Sequence, residues 1–276
     1  MRIAVVQMRS GIDPAANAAT LVAALETAKA GGAAMAFTPE MTGLIDRDRA
    51  RAVGAIVGED ADVVLAAGRA AAARLGLWVH IGSLALRPGD GDERYVNRAF
   101  VIDDTGAIRA RYDKLHLFDV DLPSGESWRE SAAYAPGDRA VMAETPAGRL
   151  GLSICYDLRF PDLYRALSDA GAAILAVPAA FTVPTGTAHW HILLRARAIE
   201  AGCFVVAAAQ GGRHEDGRET YGHSLVVDPW GEVLLDMGDA PGVGFADLDA
   251  ARIAEVAARI PVLRHRRPVP APELAS

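Results

Sequence analysis

Cys155 stands where an apolar run gives way to a polar turn, in the segment GLSICYDLRFP. The apolar run predicts a strand, and Pro161 predicts the first turn of a helix. A cysteine between a strand and a helix lies close to backbone N–H groups, which can stabilise a thiolate and a developing oxyanion. The segment therefore indicates a nucleophile, and the alternative is a small buried apolar side chain.

The other cysteine, Cys203, leads into the apolar run Phe204–Ala209 and is expected in the core. Two cysteines in a chain of 276 residues do not make a disulfide framework, so a reducing, cytoplasmic compartment is expected. Neither CxxC nor HExxH spacing occurs. No metal site is therefore predicted.

Glu40 is a candidate for the base that a cysteine nucleophile requires. It follows the predicted strand Ala34–Thr38, and the active-site groups of α/β sheets collect at such strand exits. A half-desolvated carboxylate there could accept and return a proton near neutral pH. The alternative is an exposed loop carboxylate. The histidines fit less well, because none shows the Asn or Asp partner of a papain-type arrangement.

Lys114 is a candidate for the cation that stabilises an oxyanion. It follows the predicted strand Ala107–Tyr112 and has apolar and aromatic neighbours. Such a lysine either pairs with a carboxylate or extends its ammonium group into water. The sequence leaves both interpretations open.

The elements that position these residues alternate between strands and helices, which favours an α/β fold. Between Trp78 and Tyr112 the strands follow one another with short turns, which predicts antiparallel hairpins. Predicted helices are Pro14–Ala30, Asp60–Leu75, Asp162–Ala170 and Ala188–Ala201. Predicted strands are Ile3–Gln7, Ala34–Thr38, Trp78–Leu84, Asn97–Ile102, Ala107–Tyr112, Leu150–Ile154, Ala173–Val177, Phe204–Ala209, His223–Val227, Glu232–Leu235 and Gly244–Asp247.

Composition excludes several classes of protein. The chain is 51% hydrophobic and 23% charged, as globular proteins are. No apolar run reaches the ~20 residues of a membrane span, and MRIAVVQM indicates a strand rather than a secretion signal. A net charge of −7 opposes nucleic-acid binding. The basic cluster Arg264–Arg267 is expected to be solvated or to pack.

Residues 1–260 are expected to form a single domain, because no low-complexity linker interrupts them. The proline-rich tail, residues 261–276, is expected to be an extended arm, because proline continues neither a helix nor a central strand.

Together, Glu40 in FTPEMTG, Lys114 in RYDKLHLFDVD and Cys155 in GLSICYDLRFPDLYR resemble the Glu–Lys–Cys set of the nitrilase, or carbon–nitrogen hydrolase, superfamily. The resemblance extends from MRIAVVQM to RIPVLRHRRP. It implies an α-β-β-α sandwich that stacks into an αββα-αββα dimer. The segments LLRARAIE, FVVAAAQGGRHEDGRETYGHSLVVDPWG and PVLRHRR are similar to the deaminated-glutathione amidase branch. The ω-amidases share the catalytic segments but look less similar between Arg195 and Gly231.

The resemblance implies a mechanism without a cofactor. Glu40 would take the thiol proton, and Cys155 would attack the amide carbonyl. Lys114 and the backbone N–H of Tyr156 would hold the oxyanion, after which water activated by Glu40 would hydrolyse the thioester. A second glutamate of the family helps to position the substrate and the lysine; Glu130 matches it by position.

Glu126 is the alternative for this second glutamate. Arg159 could bind a substrate carboxylate bidentately, as in some carbamoylase relatives, or form a salt bridge with Asp157 or Asp162.

The segment PAAFTVPTGTAHW faces the site in relatives, and it contains Phe181, Thr185 and His189 as candidate substrate-binding residues. Their alternatives are packing, turn formation and a hydrogen bond at a helix start. The chain departs from the branch at Ser124-Gly125, at Ala179 and at Ala201-Gly202. These departures bear on the shape of the pocket.

The expected function is hydrolysis of a small ω-amide to acid and ammonia through a cysteine thioester, with deaminated glutathione as the expected amide. The alternatives are an ω-amidase acting on 2-oxoglutaramate or 2-oxosuccinamate, an N-carbamoyl amino-acid amidohydrolase, and a non-catalytic interaction protein that kept the fold. The expected partners are the small-molecule amide and a second copy of the chain, with no nucleic acid and no membrane.

Overall fold

The first strand, β1 (Arg2–Gln7), shows how the sequence builds the layers. The computed structural model describes residues 1–89, 91, 93–121, 125 and 127–274. Ile3 and Val5 belong to one hydrophobic core, and Ala4 and Val6 belong to another. Successive residues of a strand point to opposite faces of its sheet. An apolar run without polar alternation therefore places β1 between two buried layers.

The described strands form two six-stranded sheets, with the orders β16-β1-β2-β3-β4-β5 and β15-β14-β11-β10-β9-β8, and two two-stranded sheets, β6-β7 and β12-β13. After β1 the strands are β2 (Met35–Phe37), β3 (Trp78–Leu86), β4 (Val96–Ile102), β5 (Ile108–Asp113), β6 (Asp119–Asp121), β7 (Ser127–Arg129), β8 (Met142–Thr145), β9 (Gly148–Leu152), β10 (Ile174–Ala176), β11 (Phe204–Ala207), β12 (Gly211–Arg213), β13 (Glu219–Tyr221), β14 (Leu225–Val227), β15 (Val233–Asp236) and β16 (Gly242–Asp247).

Helices cover the outer faces of both large sheets. The described helices are α1 (Pro14–Ala30), α2 (Arg49–Ala55), α3 (Val63–Leu75), α4 (Pro161–Asp169), α5 (Val183–Ala201), α6 (Ala251–Arg259) and α7 (Val262–His265). Apolar residues of α1 and α3 share a core with one face of the first sheet, and those of α4 and α5 belong to the core that joins the two sheets. This arrangement confirms the predicted α-β-β-α sandwich.

The predicted hairpins are confirmed, since β3 pairs with β4 and β4 with β5 in antiparallel register, whereas β1, β2 and β3 run parallel. Two helix starts differ from the prediction by more than one residue. Helix α3 begins at Val63, because the Asp62 carboxylate accepts a hydrogen bond from the Leu65 N–H at 2.7 Å. Helix α5 begins at Val183 rather than Ala188, and Pro184 fits its first turn.

The tail that was expected to be an extended arm begins with the short helix α7, and residues 266–274 contain neither helix nor strand. Arg266, from the basic cluster, packs against the body of the protein. Its guanidinium donates to the Asp169 carboxylate, to the Ser168 hydroxyl at 3.1 Å and to the Glu200 carbonyl at 3.2 Å. Within the described ranges, no helix has both the length and the apolarity needed to cross a membrane.

Candidate active site

Three strand ends bring the predicted residues together. Glu40 follows β2, Lys114 follows β5 and Cys155 follows β9. These strands end at the same edge of the sandwich, where ligand sites of α/β sheets form. The three side chains line a single cavity of about 750 Å³.

Gly82 in β3 allows the two sheets to approach at this edge. A Cβ atom at this position would lie 2.1 Å from the Thr38 carbonyl oxygen and 2.4 Å from the Pro178 side chain. Thr38 leads to Glu40, and the Pro178 carbonyl accepts the Cys155 N–H at 2.9 Å. The missing side chain therefore allows the Glu40 loop and the Cys155 turn to face one cavity.

Lys114 lies between two carboxylates. Its ammonium nitrogen is 3.0 Å from Glu40 Oε1, and it is 3.1 and 2.9 Å from the two oxygens of Glu130. Its side chain is only 3% exposed. Burial alone would lower the pKa of Lys114, but the charges of Glu130 and Glu40 raise that pKa well above its usual range. The lysine is thus a fixed cation, not the snorkelling surface residue of the alternative interpretation.

Each glutamate is also held by other groups. Glu40 Oε2 accepts the Ala180 N–H at 3.0 Å, and Glu130 Oε2 accepts the Phe118 N–H at 2.6 Å. Asn97 in β4 donates its side-chain amide to Glu40 at 3.0 Å and to Glu130 at 3.3 Å. Asn97 therefore links the two carboxylates by hydrogen bonds, a role that was not predicted from the sequence. The other possible second glutamate, Glu126, lies outside the described residues, as do Pro123 and Ser124.

Cys155 opens a 3-10 turn, Cys155–Arg159, and has a φ of +49°. Few residues with a side chain adopt positive φ, and such conformations concentrate at functional sites. Burial raises the pKa of the Cys155 thiol well above its usual range, and the nearby Glu40 carboxylate raises it further, against the opposing effect of Lys114. The resting thiol is consequently protonated and needs a base when it attacks.

Asp157 holds the Cys155 turn in place. Its carboxylate accepts the Ile154 N–H at 2.9 Å and the Tyr112 hydroxyl at 2.7 Å. It also accepts the His116 N–H at 3.0 Å and contacts His116 Nδ1 at 2.7 Å. The side chain is fully buried. This carboxylate is therefore occupied by the turn and by β5, and it does not pair with Arg159 as the salt-bridge alternative supposed.

Tyr156, Arg159, Phe181 and Thr185 line the cavity, whereas His189 does not. The Arg159 guanidinium lies 5.4 Å from the centre of the Phe181 ring, and its Nη1 is 3.3 Å from His189 Nδ1. His189 is exposed and reaches the site only through Arg159. The Tyr156 N–H belongs to the first turn after Cys155, where helical turns leave backbone donors unpaired.

Metal-ligating side chains come together away from this cavity. Within the described part of the chain, ligand atoms of His191, His223 and Asp236 lie within 4.8 Å of one another. The Asp236 carboxylate already contacts both rings, His191 Nε2 at 3.0 Å and His223 Nδ1 at 2.9 Å. None of the three lines the cavity, so the candidate active site consists of Cys155, Lys114 and carboxylates.

Comparison with known proteins identifies the family. Residues 2–258 match the family model described as carbon-nitrogen hydrolase. The chain belongs to this family and is an enzyme that hydrolyses non-peptide carbon–nitrogen bonds, as the sequence predicted. The nitrilase-superfamily resemblance is confirmed with it.

Individual proteins and solved structures that resemble this chain are also amidases or nitrilase-related proteins by name. A deaminated glutathione amidase from Homo sapiens is 41% identical over 276 residues, covering 96% of this chain and 82% of that protein. The crystal structure of the C. elegans NitFhit protein has a TM-score of 0.89 and 38% identity, covering 96% of this chain and 65% of that chain. A mutant amidase from Nesterenkonia sp., with acrylamide added at its active-site cysteine, has a TM-score of 0.78 and 29% identity, covering 94% and 98%.

Proposed function

We propose that this enzyme is a thiol amidase that hydrolyses the ω-amide of deaminated glutathione, with Cys155 as nucleophile and Glu40 as base. One observation carries the mechanism: a buried cysteine shares a cavity with a carboxylate that a buried lysine holds in place. The substrate is supported by the 41% identity to an amidase named for it.

The first half of the reaction forms a thioester. Glu40 accepts the thiol proton while Cys155 Sγ attacks the amide carbon, and the carbonyl oxygen becomes an oxyanion. Lys114 and the Tyr156 N–H stabilise that oxyanion. The C–N bond then breaks, and Glu40 returns its proton to the departing nitrogen. Glu130, 2.9 Å from the Lys114 ammonium, positions the lysine throughout.

The second half regenerates the enzyme. Glu40 takes a proton from water, and the hydroxide formed attacks the thioester carbon. The C–S bond breaks, the acid leaves, and the proton passes from Glu40 to the Cys155 sulfur. Both halves are acyl transfers, and the protein is neither oxidised nor reduced.

The leaving group depends on the amide. A primary ω-amide such as 2-oxoglutaramate releases ammonia. In deaminated glutathione the ω-amide nitrogen belongs to cysteine, so the expectation of ammonia is wrong for this substrate. The same step releases cysteinylglycine and leaves a 2-oxoglutaryl thioester on the enzyme.

Product analysis tests the proposal. Purified enzyme is incubated with deaminated glutathione, 2-oxoglutaramate or N-carbamoyl amino acids, and 2-oxoglutarate, cysteinylglycine, ammonia and carbon dioxide are quantified. Preferential release of 2-oxoglutarate with cysteinylglycine, absent in Cys155→Ala, is the expected result. A preference for 2-oxoglutaramate would reassign the enzyme to the ω-amidases, and release of carbon dioxide with ammonia would reassign it to the carbamoylases.

We also propose that the chain acts as a homodimer in the cytoplasm. The outer face of α5 exposes Ile192 and Ile199, at 70% and 48%, and the neighbouring Trp230 is 46% exposed. Exposed apolar patches of this kind mark protein contacts, and the family resemblance implies stacked sandwiches. Light scattering on the purified protein should give twice the chain mass, and a monomeric mass would contradict the dimer.

The proposed cytoplasmic location is supported by the cysteines. Both are free thiols, which fits a reducing compartment. Recovery of the protein outside the cytosolic fraction would contradict that location.

A further inference from the structure

Two buried nitrogen donors of the cavity wall have no hydrogen-bond acceptor among the described residues. They are Nε1 of Trp128 and Nε of Arg218. Buried donors are almost always paired, because an unpaired donor loses its bonds to water and gains nothing in return. Two such donors in one wall therefore call for an explanation.

The two side chains lie against each other. The Arg218 guanidinium carbon is 4.8 Å from the centre of the Trp128 indole ring. The Arg218 side chain is 18% exposed, and its only acidic neighbour among the described ion pairs, Asp216, is 3.6 Å away at Nη2. That contact leaves Nε free. Burial lowers the pKa of Arg218, because desolvation disfavours its charge; an anion beside it would offset that effect.

The donor pair belongs to the candidate active site. Trp128 and Arg218 line the cavity that also contains Glu40, Lys114 and Cys155. Arg47 lines the same wall and adds a second positive charge. Its guanidinium takes part in none of the ion pairs among the described residues. The wall thus offers two N–H donors and two positive charges in the cavity that contains the reacting groups. Asp46 also lines this cavity but pairs with Arg51, and no described carboxylate accepts a hydrogen bond from Arg218 Nε.

We propose that Trp128 Nε1–H and Arg218 Nε–H form a receptor for a carboxylate of the substrate. Arginine and indole N–H groups donate to a carboxylate, and a charge-assisted hydrogen bond from a buried arginine is strong. This inference rests on the proposed function, because it identifies the charged amides that the enzyme selects. A plain aliphatic amide would leave both donors unpaired and would bind poorly.

Deaminated glutathione carries two carboxylates, one at its 2-oxo acid end and one on glycine. 2-Oxoglutaramate carries only the first, and pentanamide carries neither. Comparing kcat/KM for these three amides therefore distinguishes the two sources of the anion. The variants are Arg218→Gln, Arg218→Lys and Trp128→Phe, with Arg139→Gln as a control, because Arg139 is an exposed arginine paired with Asp138 outside the cavity.

Arg218→Gln should lower kcat/KM for the carboxylate-bearing amides by about tenfold to hundredfold, and leave the value for pentanamide little changed. Arg218→Lys, which keeps the charge but loses Nε, and Trp128→Phe, which loses one neutral donor, should give smaller losses of the same pattern. A loss on both charged amides assigns the receptor to the 2-oxo acid carboxylate, and a loss on deaminated glutathione alone assigns it to the glycine carboxylate. Arg139→Gln should behave as the unmodified enzyme.

An equal loss on all three amides, or none on either charged amide, would overturn the receptor. If Arg218→Gln does not fold, Arg218→Lys and Trp128→Phe carry the same comparison. If the unmodified enzyme cleaves none of the amides, the proposed function fails, and calorimetric titrations with 2-oxoglutarate and with cysteinylglycine, which carry the two kinds of carboxylate separately, still test the receptor. Binding that Arg218→Lys or Trp128→Phe weakens would support it, and equal or absent binding in all forms would overturn it.

Discussion

The two cysteines are both buried but have different chemical surroundings. Cys155 is 9% exposed and Cys203 is 1% exposed. Burial raises the pKa of both thiols, to about 12 for Cys203. The Cys203 thiol donates to the Ala172 carbonyl at 3.0 Å, whereas Cys155 has the Glu40 carboxylate and the Lys114 ammonium beside it.

The neighbouring groups, rather than the burial of the thiol, therefore distinguish the two cysteines. Carbonyl oxygens around Cys203 can accept a hydrogen bond but cannot take the proton away. Glu40 can take the proton, and Lys114 supplies the charge that holds an oxyanion. The reactive cysteine is the one with a base, and the following predictions test that contrast.

Removing each thiol in turn gives the largest expected contrast. Cys155→Ala should lower kcat by more than about 10³-fold, because the covalent route is lost. Cys203→Ala should retain kcat, because Ala172 and the other groups around it take no part in the reaction. Steady-state kinetics on one preferred amide measures both, and comparable losses in the two variants would remove the distinction between the cysteines.

Removing the base should stop turnover but leave the Cys155 thiol reactive. Glu40→Gln keeps the shape of the side chain but cannot accept a proton, so kcat should fall by about 10²- to 10⁴-fold. Alkylation of Cys155 by iodoacetamide, followed by peptide mass spectrometry, should stay faster than that of Cys203, because the variant removes a charge that raises the pKa of the Cys155 thiol and keeps Lys114, which lowers it. A variant that keeps full kcat would show that Glu40 is not the base.

Weakening the turn that contains Cys155 should show how much the position of the nucleophile matters when its base and cation are unchanged. Asp157→Asn leaves Glu40 and Lys114 intact but replaces an acceptor of hydrogen bonds from Tyr112, Ile154 and His116. The free energy of unfolding should fall by about 1–3 kcal/mol, with a loss of kcat that exceeds any rise in KM. Urea unfolding and kinetics are measured together, and unchanged values for both would show that the carboxylate does not anchor the nucleophile.

The last prediction leaves the active site and concerns a pH dependence of stability from Cys203. Its pKa is about 12 in the folded chain against 9.0 for an unperturbed thiol. The folded state therefore keeps a proton that the unfolded state loses, so the contribution to stability is complete below pH 9 and declines as pH rises towards 12. Thermal unfolding of the unmodified protein and of Cys203→Ala should converge over this range, and parallel curves would contradict the buried thiol.

The sequence predicted long, well-capped elements better than short ones. The bounds of α1 agree with the prediction, because Asp13 caps its start and Pro14 fits its first turn. The three-residue strands of β6-β7 and β12-β13 were not predicted, because pairing with a partner strand, rather than residue pattern, defines them. Helices α2 and α6 and the start of α5 were missed as well.

Within the site, residues at strand ends could be predicted and residues inside strands could not. Glu40, Lys114 and Cys155 follow strands and are conspicuous for their chemistry. Asn97 lies within β4, and only its contacts with Glu40 and Glu130, distant in sequence, show its role. Likewise Arg218 and Trp128 meet only in the folded chain.

Trapping the acyl-enzyme tests the central claim most directly. Enzyme and deaminated glutathione are mixed, quenched in acid within a single turnover, digested and analysed by mass spectrometry. The account predicts a 2-oxoglutaryl group on the peptide that contains Cys155, none on the peptide that contains Cys203, and none in Cys155→Ala. An acyl group on Cys203, or single-turnover product formation by Cys155→Ala, would contradict it.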